Sequence, residues 1–392
     1  MVLHTRTREG NKAVKVRTRS IRVPQVGDKF CATREEHEVL CERGWIPIED
    51  VTTDDFALTL DPKEGTMGYE RVLETHAYDC VDENMYEIDS QQISLKVTLG
   101  HRMWVKKRRS TEYGFESAKD IVGKRVSYKK NCEGGLDPSQ IANPPVPVPN
   151  KELVEDWLFF FGFWVGDGCV RNRESAVLIS QKKPDTRAKI IDVSKRLGLK
   201  FSGEFYDTSN GSCDLRYCKS KNPELCALLA PLSVGALNKF LPGWALRLSV
   251  DHSRALLAGL LGSDGTCNMN EKFGRKATYE YLTSSTQLRD DVQSLILNCG
   301  FAANVSIKHN GGYRGIVNER PIVANATNWR ISVVKRKCNP TVNHSRVHQQ
   351  KRQKEQIVRY TGSVHCITVR TGIFHVRRNG KGCWTGEPDS EW

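Results

Sequence analysis

Two short turns carry carboxylates in the same setting. Asp167 lies in "VGDGC" and Asp264 in "GSDGT", 97 residues apart, each closing an apolar run of helical length. The runs "WLFFFGFWVGDG" and "SRALLAGLLGSDG" hold small residues on one side: Gly162 and Gly166 in the first, Ala258, Gly259 and Gly262 in the second. Small residues let helices approach closely. Two such helices, side by side, would bring both aspartates to one end of the pair. Neighbouring carboxylates repel unless a cation lies between them. Mg²⁺ takes such oxygen ligands and keeps sites for water and phosphate, so the pair could activate a water and stabilise a leaving phosphate oxygen. A single Asp-Gly reads as a helix C-terminal turn; the matched pair in a basic chain argues for chemistry.

The elements around the two turns repeat. "AVLISQKK" then "DTRAKIIDVSKRLGLK" follow the first, and "KATYEYLTSST" then "QLRDDVQSLILNCGF" follow the second. Each reads as a strand and an amphipathic helix. With "CDLRYCK", "ANVSIKH" and "NWRISVVK" as further strands, two copies of an α-β-α-β pattern predict a pseudo-twofold α/β unit. On either side the pattern is β-like: "EVLCERGWIPIEDV", "FALTLDP" and "QQISLKVTLGHRMWVKK" before it, "VHCITVRTGIFHVRRNGKGCWTG" after it. The expected architecture is an all-β module split in sequence by the inserted α/β unit. "NCEGGLDPSQIANPPVPVPN" reads as a Gly- and Pro-marked boundary and "NHSRVHQQKRQKEQIVR" as a basic, solvated arm.

Bulk properties narrow the classes. The 392 residues leave room for two or three domains, and 39% hydrophobic residues is a globular value. A net charge of +13 suits a polyanionic partner, nucleic acid above all, or simply a basic soluble protein. No apolar run approaches the ~20 residues of a membrane span, and the basic N-terminal stretch lacks the apolar core of a secretory signal. The 13 cysteines show no paired zinc spacing. Reduced thiols in the nucleus or cytoplasm are the expectation, with no membrane partner and a monomeric chain.

At this point the motifs acquire a likeness. "FFFGFWVGDGC" and "LLAGLLGSDGT" resemble the two signature helices of LAGLIDADG homing endonucleases, whose fold is two α-β-β-α-β-β-α halves with a saddle-shaped sheet on the DNA major groove. The resemblance implies metal-ligand roles for Asp167 and Asp264, with Mg²⁺ or Mn²⁺ as cofactor, and cleavage of a long asymmetric site in double-stranded DNA. "NKFLPGW" resembles the lysine-bearing segment before the second helix. Lys239 is then either a polarising group for phosphate or water, or a surface lysine. "QKKPDTR", "RYCKSK" and "SIKHN" are candidate DNA-facing stretches or solvated loops.

The split β module resembles the splicing (Hint) domain shared by inteins and hedgehog autoprocessing domains. "CATREEHEVLCERGWIPIEDV" is similar to an intein start, although the usual Gly-Asp-Thr is missing; "ISLKVTLGHRMWV" is similar to the T-x-x-H block, giving Thr98 and His101; the last block is similar to that of polymerase-subunit inteins. The chemistry is physically sound for Cys31. Its thiol can attack the carbonyl of Phe30 to give a thioester, provided the amide is twisted or its nitrogen protonated, which His101 with Thr98 could do. "VKVRTRSIRVPQVGDKF" resembles the second-largest subunit of nuclear RNA polymerase II, so that residues 1–30 read as host sequence.

The end of the chain departs from the pattern. Glu387 stands where inteins have the cyclising Asn, and Pro388 offers no nucleophile. Cys366 reads first as a buried thiol and second as a proton relay or acyl acceptor. The expected partition is 1–30 N-extein, 31–135 first half of the splicing domain, 136–150 linker, 151–340 endonuclease, 341–359 basic linker, 360–387 second half, and 388–392 a non-matching tail. The N–S acyl shift is expected and complete splicing is not; the rivals are a degenerate intein that only self-cleaves at its N-terminus, a DNA-binding remnant without catalysis, and a functional polymerase fragment resting on residues 1–30 alone.

Overall fold

The helices Val154–Asp167 and Val250–Ser263 are apolar around most of their circumference because they form the centre of the α/β unit. Trp157, Phe160, Phe161 and Phe163 of the first, and Leu256 and Leu260 of the second, are fully buried. Ser249 starts the second helix by accepting the His252 N–H. The helices cross backbone to backbone. A Cβ on Gly162 would fall on the Leu256 carbonyl oxygen, and one on Gly259 would fall on that of Phe159. Ala258, expected on this small-residue face, points outward and is exposed. The helical period places its glycine neighbour, not Ala258, at the crossing.

The computed structural model describes residues 32–33, 37–171, 175–207, 211–270, 275–317, 320–343 and 353–387. Cys31, residues 1–30 and the tail 388–392 lie outside them. Each half of the α/β unit has two strands more than the expected α-β-α-β, an α-β-β-α-β-β order. In the first half, strands Gly168–Arg171 and Ala176–Ser180, helix Pro184–Arg196, and strands Gly203–Asp207 and Ser212–Cys218 follow the central helix. In the second, Gly265–Asn270 and Arg275–Thr283, helix Thr286–Asn298, and strands Ala302–His309 and Asn328–Val334 follow, with a small hairpin at Arg314–Val317 and Arg320–Val323. The strands directly after the aspartates, "GCVR" and "GTCNMN", are short and lack a hydrophobic alternation, so they carry little sequence signal. Both sheets are antiparallel, and the strand after each aspartate lies at one edge. Val177, Ile179, Leu215 and Tyr217 face the first core. Ser180, Asp214 and Arg216 lie on the opposite face, as Arg330, Ser332 and Ser306 do in the second sheet.

The two β segments flanking this unit interleave. Strand Gln353–Thr368 pairs with Glu74–Ser90 from Gln353↔Ser90 to Thr368↔Glu74. With Ala32–Thr33 and Ser94–Thr98 it closes a barrel. The hairpin Ile373–Arg378 and Lys381–Gly386 joins His37–Cys41 and Phe56–Asp61. The second β segment thus begins at Gln353, inside the expected 341–359 linker. Its charged residues alternate along a strand and resemble a solvated arm by composition alone.

The expected linker 136–150 is also packed structure. Leu136 lies in a cluster with Leu297, Ile373 and Trp384, while Val148 enters the core around the central helices. The sheets of the two units meet where Asn304 pairs with Lys381, giving one ten-stranded sheet. Buried charge crosses the same seam. Lys130 donates to the Gln92 carbonyl and to Asn304 Oδ1, and burial pushes its ammonium down to about 7. Arg377, 3% exposed, binds Glu38 from one side and Asp290 and Gln293 of helix Thr286–Asn298 from the other.

The helix crossing makes a direct prediction. Gly259→Ala sets a methyl against a carbonyl that cannot rotate away, and is expected to destabilise the chain by about 1–3 kcal/mol in denaturant unfolding, whereas Ala258→Gly costs only its helix propensity, about 1 kcal/mol.

Candidate active site

The close crossing carries both aspartates to the same end of the helix pair. Asp167 is the last residue of the first helix and Asp264 the C-cap of the second. Asp264 Oδ2 stands 3.4 Å from the position a Cβ on Gly166 would take. Lys239, just beyond the turn Ala236–Asn238, reaches between the helix ends, and its Nζ donates to the Gly166 carbonyl. Gln181 Nε2 donates to Asp167 Oδ2 at 3.1 Å. Sequence reasoning placed Gln181 in a candidate DNA-facing stretch; only the strand-to-helix turn after Ser180 shows that it touches the carboxylate.

The electrostatics follow from this crowding. Burial, and then the facing Asp264 carboxylate, push Asp167 up to about 7, against the pull of Lys239 and Lys183. Asp264 reaches solvent at the mouth of the site, yet the surrounding protein displaces enough water to raise it as well, with Lys239 opposing. Burial lowers Lys239, while the two carboxylates hold it up. Beneath them the phenol of Tyr281, fully buried, is raised by desolvation and then by both carboxylates, which keeps it protonated.

Two carboxylates in one space, with a single ammonium between helix ends, suit a hydrated hard cation. Among the described residues no group of three or more His, Cys, Asp or Glu could cage a metal by itself. That donor set fits Mg²⁺, which is held by one or two carboxylates and completes its shell with water and phosphate. The opening beside Asp167 and Lys239, about 250 Å³ and lined by Trp164, Cys169 and Ser233, gives such ligands room.

A second constellation lies in the barrel. His101 is 1% exposed, and its Nε2 lies 2.6 Å from Thr385 Oγ1. Thr98 is buried, and its carbonyl accepts the His101 N–H, which turns the imidazole inward. Ala32, the residue after Cys31, is pinned between Val97 and His365. Ala32, His101, Cys366 and Thr385 line one cavity of about 10 Å³, the space of about one water. Cys31 itself lies outside the described residues. Cys366 is buried, 2% exposed, with its Sγ near the Ile367 carbonyl. Thr385 escaped the sequence reading although it belongs to "WTG"; its role shows only when the last strand is laid against His101. Glu387 is 8% exposed, and its Oε2 accepts the Val369 N–H at 2.5 Å. Burial raises its carboxyl despite that bond.

The candidate DNA-facing stretches divide. Arg216, half-buried, and Ser306, exposed, lie on the faces of their sheets opposite the core. Arg187 does not face outward: it is 9% exposed and donates to the Lys182 carbonyl, so it builds the turn at Gln181. Tyr217 is fully buried and belongs to the core.

Residues 251–361 match the family model described as the LAGLIDADG-like domain. The chain is 32% identical over 415 residues to the DNA-directed RNA polymerase subunit beta C-terminal section of Stigeoclonium helveticum, covering 93% of this chain and 37% of that one. It is 28% identical over 383 residues to the ATP-dependent Clp protease proteolytic subunit of Chlamydomonas moewusii, covering 90% and 35%. The chain therefore spans about a third of the length of these curated relatives. Among solved structures, I-DmoI in complex with DNA and Ca is similar at 12% identity and TM-score 0.32, over 47% of this chain and 85% of that one. A splice-inactive AceL NrdHF class 3 split intein is similar at 21% identity and TM-score 0.22, over 25% and 63%.

The raised Asp167 has a measurable consequence. From near the ordinary carboxylate value of 3.8 up to about 7, the folded metal-free chain holds a proton that the unfolded chain has released. Its stability therefore falls as pH rises through that window. Asp167→Asn is expected to flatten this slope and to stabilise the metal-free chain at neutral pH by about 1–2 kcal/mol, a figure discounted for the open, solvated site. Urea unfolding in EDTA at both ends of the window measures it.

Proposed function

We propose that the chain is an intein that carries a LAGLIDADG endonuclease: a metal-dependent, site-specific double-strand DNA nuclease inserted in a self-cleaving β module. The observation that carries the nuclease reading is the glycine-lined helix crossing, which sets Asp167 and Asp264 side by side with Lys239 between them. Asp167 and Asp264 would hold Mg²⁺ or Mn²⁺, which supplies charge stabilisation and a more acidic water. The chain's own groups do the rest. Lys239 presents an ammonium where negative charge develops on phosphate. Gln181 fixes the orientation of the Asp167 carboxylate. The open sheet faces and the excess of basic residues hold the duplex through phosphate contacts, so binding is salt-sensitive.

The intein part rests on the interleaved β segments and on the cavity that Ala32 shares with His101. In this proposal the Cys31 sulfur bonds to the Phe30 carbonyl carbon, the amide C–N bond breaks, and the thiol proton ends on the freed amine of Cys31. Thr385 holds His101 through Nε2, and in this proposal the imidazole relays the proton that the departing nitrogen takes up. Glu387 favours a reading in which the sequence stops after this step, because a carboxylate held by the Val369 N–H is a poor nucleophile for cyclisation. The relatives support a guest element. Two proteins named for unrelated activities each resemble nine-tenths of this chain, as a segment lodged in different hosts would. The host fragment in residues 1–30 and a nuclear setting belong to the same proposal.

Two experiments test the halves separately. Incubation with Mg²⁺ and DNA spanning the uninterrupted polymerase-subunit junction is expected to give a double-strand break, lost in Asp167→Ala and Asp264→Ala and slowed about 10²-fold in Lys239→Ala; cutting that persists in EDTA would remove the metal role. Incubation with a small thiol is expected to release a fragment ending at Phe30, as read by mass spectrometry. His101→Ala should slow that release by about 10²-fold, and unchanged release in Cys31→Ala would refute the acyl shift.

A further inference from the structure

Lys239 sits in a stretch without a hydrogen-bonded ladder, between the short turns Ala236–Asn238 and Gly243–Leu246. A long side chain rooted in such a stretch places its ammonium well only if the backbone beneath it is held. Two side chains hold it, and both come from helix Thr286–Asn298. Ser285, the N-cap of that helix, donates its hydroxyl to the Lys239 carbonyl at 2.6 Å while accepting the Leu288 N–H at 3.1 Å. Asp291, nearly two turns further on, accepts the Leu241 N–H on Oδ2 at 2.8 Å and Gln287 Nε2 on Oδ1 at 2.8 Å. Both are buried, Ser285 at 0% and Asp291 at 4% exposure. A buried carboxylate is costly unless its hydrogen bonds compensate. Here one oxygen is committed to a backbone N–H two residues from Lys239. Leu241, the residue that offers this N–H, is itself 3% exposed in the core, which fixes the inner end of the clamp.

We propose that Ser285 and Asp291 are positioning residues for Lys239: together they clamp the Lys239–Leu241 backbone so that the ammonium stands between the two aspartates. The inference rests on the endonuclease reading for its catalytic meaning, but the clamp itself is a statement about Lys239 alone. The same helix receives Arg377 from the β module through Asp290 and Gln293, so the clamp is anchored in the seam between the two units.

The test uses the full chain and two readouts. In the first, the metal-free protein is methylated with formaldehyde and cyanoborohydride, and modification of Lys239 is followed by peptide mass spectrometry against the exposed Lys151 as reference. Asp291→Ala and Ser285→Ala are expected to raise the Lys239 rate several-fold and leave Lys151 unchanged. Asp291→Asn keeps an acceptor for Leu241 and is expected to stay near wild type. Unchanged Lys239 labelling in folded Ser285→Ala and Asp291→Ala overturns the proposal, and Ser285→Ala, the smaller excision, serves if Asp291→Ala does not fold.

In the second, single-turnover DNA cleavage is measured in the wild-type and Lys239→Ala backgrounds. Asp291→Ala is expected to slow cleavage at least about 10-fold in the first, with duplex binding in Ca²⁺ unchanged, and to add nothing in the second. Equal losses in both backgrounds overturn the proposal. A wild-type chain that never cleaves refutes the nuclease reading instead, and the labelling result still decides the clamp.

Discussion

The candidate site depends on one contact, the crossing of two helices whose backbones touch. At Gly162 and Gly259 the carbonyl of the opposite helix occupies the space of a side chain. That leaves the helix ends close enough for Asp167 to feel the Asp264 charge. A wider crossing would take the Asp264 charge away from Asp167, whose carboxyl burial raises first and that charge second, and leave the two as unrelated helix caps. The price is a destabilising pair of like charges in a partly desolvated place, which the aromatic packing of Trp157, Phe160, Phe161 and Phe163 around the crossing offsets.

The second constraint is the seam. The α/β unit does not hang from the β module on flexible arms, because Asn304 pairs with Lys381 and buried Lys130 and Arg377 span the join. Such groups are tolerable only when every partner is present. Displacing one unit would strand Lys130 without Asn304 and Arg377 without Asp290. Helix Thr286–Asn298 is the common element, touching the seam through Asp290 and Gln293 and the Lys239 segment through Ser285 and Asp291.

Much of this was legible beforehand, for a physical reason in each case. The central helices announce themselves by long apolar runs with glycine at helical spacing, and the duplication by Asp-Gly at the end of each. The β segments show through turns and β-branched runs. What was misread had ambiguous composition. Gln353–Thr368 begins with "QKEQ", polar enough to pass for an arm until its pairing with Glu74–Ser90 is seen. The Pro-rich stretch before Asn150 reads as a linker because proline marks boundaries, yet Val148 is inserted into the core. Ala258 satisfies a small-residue pattern but lies on the wrong side of its helix.

The amino-acid sequence by itself determined which residues could do chemistry, since residue type and local period are properties of short segments: two aspartates on matched helices, a lysine ahead of the second, and a histidine three residues after a threonine. Only the tertiary structure decided which of them share a site. Gln181 against Asp167, Thr385 against His101, and Ser285 and Asp291 beneath Lys239 are contacts between segments far apart in the chain. Their geometry is set by sheet register and helix crossing, quantities that no local pattern encodes.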